Sequence, residues 1–107
     1  MQELDFGEWE LRTWDEIQKQ DSERAEQWMQ SFVTTRCPGG ESYLQLVERV
    51  RDFLNEVRRA DCVVLLAHGG SIRAALAALL DWPLELSFQI QIMHGRITTL
   101  DLAGPQP

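Results

Sequence analysis

Basic residues are scarce in this sequence, and histidine is scarcer. The 107 residues hold 10 Lys and Arg against 17 Asp and Glu, for a net charge of −7, with two histidines. The one local run of arginines, Arg49, Arg51, Arg58 and Arg59, alternates with Glu48, Asp52 and Glu56. Such a mixture is a solvated helix face rather than a phosphodiester footprint, so no nucleic-acid partner is expected. Long hydrophobic runs are missing as well. Nothing approaches the roughly 20 apolar residues that cross a bilayer, so no membrane partner is expected. The first ten residues, MQELDFGEWE, lack the basic start and apolar stretch of a secretory signal, and the expected location is the cytoplasm. Cys37 and Cys62 have neither metal nor redox spacing. Cys62, at the head of an apolar run, reads as a small buried hydrophobe. Cys37, next to Pro38, reads as a loop residue, and no disulfide is expected in a reducing compartment. No histidine–carboxylate cluster has ligand spacing, so neither metal nor other cofactor is implied. An acidic chain does not draw anions by its overall field. If the ligand is a phosphate, local groups must hold it.

What is present is an ordered set of short signals. Residues 1–12 scatter Leu4, Phe6, Trp9 and Leu11 among acids around Gly7, a loop or short irregular segment. Asp15–Phe32 is polar and helix-forming, one or two helices with a break at Asp21-Ser22. Cys37-Pro38-Gly39-Gly40 is a loop. Ser42 and Gln45 then fit a capping box. Tyr43, Val47, Val50, Leu54 and Val57 recur at helical spacing and give one buried stripe ending near Arg59. Cys62–Ala67 is a continuous β-branched and leucine run, as in a strand buried on both faces. Ser71–Leu80 is a helix, stopped by Trp82-Pro83. Phe88–Ile92 and Arg96–Leu102 alternate around His94-Gly95, a β-hairpin pattern. The order helix–strand–helix–strand–strand points to an α/β fold, although few strands are on offer and the sheet would be incomplete. The whole chain, 1–107, reads as a single domain.

The residues that carry chemistry follow that central strand. His68 would sit at its carboxyl end, where open α/β sheets bind ligands. Gly69 and Gly70 expose backbone N–H groups just as a helix begins, and a helix N-terminus favours an anion. The plainer reading is a strand-to-helix turn capped by Ser71 with a histidine that merely fits, and both readings stand on the residues alone. Arg73, one turn past Gly69, can reach a phosphate or pair with an acid. His94 reads as a turn residue, Trp9 as packing, Glu8 and Glu10 as solvated acids.

AHGGSIRAAL resembles the second-histidine motif of the histidine phosphatase superfamily, which includes the phosphoglycerate mutases. ELDFGEWE, Glu3 to Glu10, resembles the segment around that family's catalytic acid. PGGESYLQLVERV, Pro38 to Val50, resembles the lead into its long helix. The three motifs stand in the family's order over nearly the whole chain, most like the small bacterial phosphatases of the alpha-ribazole phosphatase type. The sequence departs at Leu11, where a glycine is common. The resemblance implies a three-layer α/β/α phosphoglycerate mutase-like sheet, here partial, with a C-terminal β-hairpin. It implies a phosphohistidine mechanism acting on a small phosphorylated metabolite. Glu3 would be the acid that serves the leaving oxygen, and His68, with Gly69 and Gly70, would hold the phosphoryl oxygens. Specificity would lie in loops such as Thr34–Gly40.

The family's nucleophile lies in an Arg-His-Gly motif, and these 107 residues contain none. The chain therefore looks like a C-terminal portion of such an enzyme, and it is expected to be inactive alone. A non-catalytic module that keeps the anion cradle and binds a phosphorylated ligand or a partner is the alternative. In an incomplete sheet, Cys62–Ala67 would present an unpaired edge, and a homodimer through that edge is expected.

Overall fold

The structure is a computed structural model and describes residues 1–60 and 62–100. A 3-10 turn at Gly7–Trp9 precedes α1 (Trp14–Gln20) and α2 (Ser22–Gln30); α3 (Tyr43–Val57) and α4 (Gly69–Leu80) follow, then a second 3-10 turn at Leu84–Gln89. The break at Asp21-Ser22 separates α1 from α2. α1 begins one residue before the expected Asp15 because Thr13 Oγ1 accepts the Glu16 N–H at 3.2 Å.

The Ser42 box is complete. Its hydroxyl accepts from the Gln45 N–H at 3.2 Å, and Gln45 Oε1 accepts from the Ser42 N–H at 2.9 Å. The α3 stripe buries Tyr43, Leu46, Val47 and Val50 against α4, whose Ala74 and Ala77 let the two backbones approach. Toward its end the burial fades: Leu54 and Val57 are only partly covered. α4 ends with Asp81 in the left-handed region, φ 55°, its N–H returning to Ala77 O.

Aromatic rings continue the core away from α3. Trp9 meets Trp14 and Trp28 edge-on at 6.2 and 6.1 Å, Trp28 leads to Phe32, and Phe32 packs with Tyr43 and Phe88. Such edge-to-face pairs each add on the order of 1 kcal/mol beyond burial.

The expected sheet is not there. Among the described residues no strand ladder forms, so neither the three-layer α/β/α arrangement nor the C-terminal β-hairpin is seen. Cys62–Ala67 is extended but bare: Val64 and Leu66 are 86% and 87% exposed. Its backbone bond to the rest of the chain is Leu66 O accepting from the Met1 ammonium at 2.8 Å. The physical reason is that a strand holds only when a neighbour takes its N–H and C=O groups, and among the described residues no backbone ladder reaches this segment. The same cause overturns the buried reading of Cys62, which is exposed; Cys37 lies in its loop as expected and is wholly buried there.

In the expected hairpin, Phe88 and Gln89 belong to the 3-10 turn instead. Phe88 is held there by Tyr43 and Phe32, both at 4.8 Å, and Tyr43 Oη bonds Ser87 Oγ at 2.7 Å. The turn at His94-Gly95 forms, with Gly95 at φ +70°, but its flanks do not pair. Asp101 and Leu102 lie outside the described residues. The chain extends 50 × 25 × 24 Å with a radius of gyration of 15.3 Å, against about 13 Å for a compact domain of this length. No described helix is long and apolar enough to cross a membrane.

Candidate active site

The acid-bearing N-terminal segment is locked to the Pro38–Glu41 loop by reciprocal backbone bonds. Glu8 N–H donates to Pro38 O at 2.7 Å, and Glu41 N–H donates to Asp5 O at 2.8 Å. The two strands of chain approach so closely that glycine is required on both sides. A Cβ on Gly7, already at φ +57°, would overlap the Pro38 carbonyl, and one on Gly40 would overlap the Asp5 carbonyl. The Asp5 and Glu10 carboxylates spend themselves on local N–H groups, of Gly7 and Phe6. Glu8 stands outside, 3.6 Å from Arg24.

One side chain fixes the segment onto α3. Arg49 donates Nε and Nη2 to the two carboxylate oxygens of Glu41, at 3.0 and 2.9 Å. It also donates Nη1 to Gln2 O at 3.2 Å and Nη2 to Glu3 O at 3.1 Å. Glu41 Oε1 in turn accepts the Asp5 N–H at 2.9 Å. Bidentate guanidinium–carboxylate geometry of this kind is rigid as well as strong. The guanidinium holds the Glu41 carboxyl below the usual carboxylate range, and Glu41 holds the Arg49 guanidinium above its own. Sequence reading had placed Arg49 on a solvated face. The signal available was its place three residues after the buried Leu46, at the edge of the stripe.

So positioned, Glu3 reaches the start of α4. Its Oε2 accepts the Gly70 N–H at 2.8 Å, and its Oε1 accepts the Leu4 N–H at 3.0 Å. Gly70 has no side chain at the point where a Cβ would strike the Glu3 carboxylate. A carboxylate on a helix N-terminus is favoured by the unpaired N–H groups and the dipole there. His68 is the N-cap residue of α4, and Ser71 Oγ reaches back to accept the His68 N–H at 3.0 Å while donating to His68 O. Ser71 is fully buried. The turn is thereby pinned from inside, and the Gly69 N–H, like the other first N–H groups of a helix, is left without an intrahelical acceptor.

The structure brings Glu3, His68, Gly69 and Gly70 together. Glu3 and His68 line one open cleft of about 530 Å³ with Gln2, Leu4, Asp5, Glu10, Glu41 and Arg49. Its carboxylates outnumber its cations, and Arg49 is engaged with Glu41. Arg73 makes no ion pair among the described residues: Nε donates to Ile90 O at 3.0 Å and the guanidinium lies 5.6 Å from the Phe88 ring centre, while Nη1 lies against Gly69, 3.1 Å from where a Cβ on that residue would stand. His94 is in an exposed turn. The Thr34–Gly40 loop is mostly occupied in holding the acid segment. Arg36 Nε donates to Gly40 O at 2.9 Å, and burial pushes the Cys37 thiol up to about 11. Among the described residues no group of histidine, cysteine and acidic side chains is arranged to hold a metal ion.

The start of a helix, a histidine at its N-cap position and a carboxylate held against it thus stand together beside the cleft. Across residues 1–107 the sequence matches the model of the histidine phosphatase superfamily (branch 1), and the chain belongs to that family. Among its relatives, the adenosylcobalamin/alpha-ribazole phosphatase of Escherichia coli is 25% identical over 95% of this chain and 52% of that protein. A protein of Hydrogenobacter thermophilus described as putative phosphoserine phosphatase 2 is 26% identical over 97% of this chain and 52% of its own length. The 6-phosphofructo-2-kinase/fructose-2,6-bisphosphatase of Gallus gallus is 35% identical over 76% of this chain and 17% of its own length. The chain thus spans about half the length of the two bacterial relatives and less than a fifth of the avian one.

Proposed function

We propose that this chain supplies the acid and one phosphate-holding wall of a phosphomonoesterase site for a small phosphorylated metabolite. The observation that carries the reading is the Glu3 carboxylate at 2.8 Å from the Gly70 N–H, in the cleft that His68 also lines. His68, in its cationic form, and the Gly69 N–H hold the phosphoryl oxygens, where charge spreads in the transition state. Glu3 protonates the leaving oxygen and then takes a proton from the attacking water. Glu3 already occupies the Gly70 donor, so a bound phosphate takes the free N–H of the same turn or displaces the carboxylate. The nucleophile is the family's Arg-His-Gly histidine, which these 107 residues do not include. The chain alone forms no phosphohistidine, and the cytoplasm is its proposed site of action.

Amide NMR of the 107-residue chain titrated with inorganic phosphate tests this. Phosphate should move the Gly69 and Gly70 signals, and His68→Ala should abolish the response. Silence at both glycines under saturating phosphate sinks the cradle. Robust turnover of para-nitrophenyl phosphate by the pure chain, lost on His68→Ala, sinks the proposed need for an outside nucleophile. A module that binds phosphate without chemistry predicts the same titration. It parts from the enzyme reading once the chain is joined to an Arg-His-Gly segment and still fails to turn over.

A further inference from the structure

A single N–H donor holds one anion at a time, and the start of α4 already holds one. Glu3 Oε2 accepts the Gly70 N–H at 2.8 Å, where a helix N-terminus would draw a phosphoryl oxygen. The fit is close. A Cβ on Gly70 would stand 2.5 Å from Glu3 Oε1 and 2.9 Å from Oε2, so the carboxylate fills the space that the glycine leaves open.

The carboxylate is bound there by its side chain alone. The backbone beneath it is fixed, since Arg49 donates Nη1 to Gln2 O at 3.2 Å and Nη2 to Glu3 O at 3.1 Å, and the Leu4 side chain is buried. The Glu3 side chain is half-buried and opens on the cleft of about 530 Å³. Turning its χ angles takes the carboxylate off Gly70 without moving the chain. A phosphate arriving beside Glu3 meets repulsion at hydrogen-bond range. Asp5, Glu10 and Glu41 line the same cleft, and Arg49 is committed to Glu41. Among the cleft residues, that leaves His68 to offset Glu3 and an incoming phosphate together.

We infer that the Glu3 carboxylate is an internal anion that closes the start of α4 in the free chain, and that a phosphate ligand binds by displacing it. This rests on the phosphate-holding role proposed above. Filling the site and releasing the acid are then one event. The free chain binds phosphate more weakly than its N–H groups alone would allow.

The test is a titration of the 107-residue chain and three variants with inorganic phosphate at pH 7. NMR follows the Gly69 and Gly70 amides and the Glu3 carboxyl carbon. In the parent, the carboxyl signal should move with the same midpoint as Gly69. Glu3→Ala should bind phosphate about tenfold tighter, the lower end for a hydrogen bond to a charged group because the cleft is open to water. Glu3→Gln should fall between, since its amide oxygen still accepts the Gly70 N–H but without charge. Glu10→Gln removes the same charge from the same cleft and keeps an oxygen for the Phe6 N–H. It should gain less than about threefold, as a screened charge that makes no contact with Gly70.

Equal gains in all three variants show that the field of the cleft, and not the contact, weakens binding, and they overturn the inference. A carboxyl signal that stays put while Gly69 saturates overturns it too. Unchanged affinity in Glu3→Ala removes the displacement and leaves the cradle standing, because phosphate still binds. Silence of both glycines in the parent and in every variant takes down the cradle itself, and with it the function proposed above. The parent's carboxyl signal and Glu3→Gln decide the matter even if Glu3→Ala does not fold.

Discussion

The Gln2–Val50 half of the molecule is mostly polar and buries its apolar residues, whereas the wholly apolar Cys62–Leu66 segment leaves most of its own exposed. In the first, Leu4, Trp9, Cys37 and Leu46 are buried, and the loops are stitched by Arg49, Glu41 and paired carbonyls. In the second, Val63, Val64 and Leu66 stand in the open. The difference lies not in hydrophobicity but in whether partners for the backbone are supplied within the described chain. Apolar area is worth about 25 cal/mol per Å² only when something covers it.

The stitched half should therefore break at single atoms. The largest effect is expected at Gly7. Alanine there must hold φ +57° and push a methyl group into the Pro38 carbonyl. Left-handed backbone costs about 1–2 kcal/mol for a residue with a side chain, and the overlap raises the total to roughly 3 kcal/mol or more. Gly7→Ala should unfold much of the chain at 25 °C, read as a collapse of the urea midpoint; a midpoint within 1 kcal/mol of the parent would mean the two loops are not interlocked.

Arg49→Ala comes next. Hydrogen bonds to charged partners contribute about 1.5–3 kcal/mol each in good geometry, but the arginine is 36% exposed. A loss of about 2 kcal/mol is expected once solvent screening is allowed for. The pH dependence follows from Glu41, whose carboxyl is held below its unfolded value of 4.5 by Arg49. A depressed folded pKa gives stability that is present above the unfolded value and lost as pH falls through the folded one. Urea midpoints from pH 7 to pH 3 should thus fall steeply for the parent and less steeply for Arg49→Ala. Parallel curves would show that the ion pair is a bystander. The same substitution frees the Glu3 carbonyl, so the response of the Gly70 amide to phosphate should change with it.

These two sites mark how much could be read from sequence. Elements whose cause is local were legible: the Ser42–Gln45 box, the α3 stripe from Tyr43, the break at Asp21, the turn at Gly95. The resemblance of three motifs also gathered Glu3, His68, Gly69 and Gly70, which the structure brings into one place. The strands were misread because the run Cys62–Ala67 states only that the residues are apolar, while a strand is a pairing. Arg49 was missed because its partners are eight positions away and near the N-terminus, and its place at the edge of the buried stripe was the one local hint.

Leu11 refines the comparison on the stitched side. The sequence departs from its family's pattern there, where glycine is common, and the backbone has kept the conformation glycine favours: φ is 63° and the side chain is fully exposed. Leu11→Gly should relieve about 1–2 kcal/mol of strain and give back part of it as unfolded-state entropy. A net gain of about 0.5–1 kcal/mol in the urea midpoint is expected. A loss would mean that Leu11 packs on a neighbour in solution.

The smallest effect should come from the opposite region. A leucine inside a paired, two-sided sheet is costly to replace with lysine, since an unpaired ammonium would be buried. Leu66, 87% exposed, has no such cover, and its carbonyl bond to the Met1 ammonium is made by the backbone and survives the change. Leu66→Lys should therefore alter stability by less than about 0.5 kcal/mol, as surface changes do, while the backbone N–H groups of Val63 to Leu66 exchange with solvent as fast as an unpaired chain. A loss of 2 kcal/mol or more, or strong protection of those N–H groups, would show that the segment is covered and paired in solution. The contrast between the two halves would then reflect a neighbour that arrives from another chain.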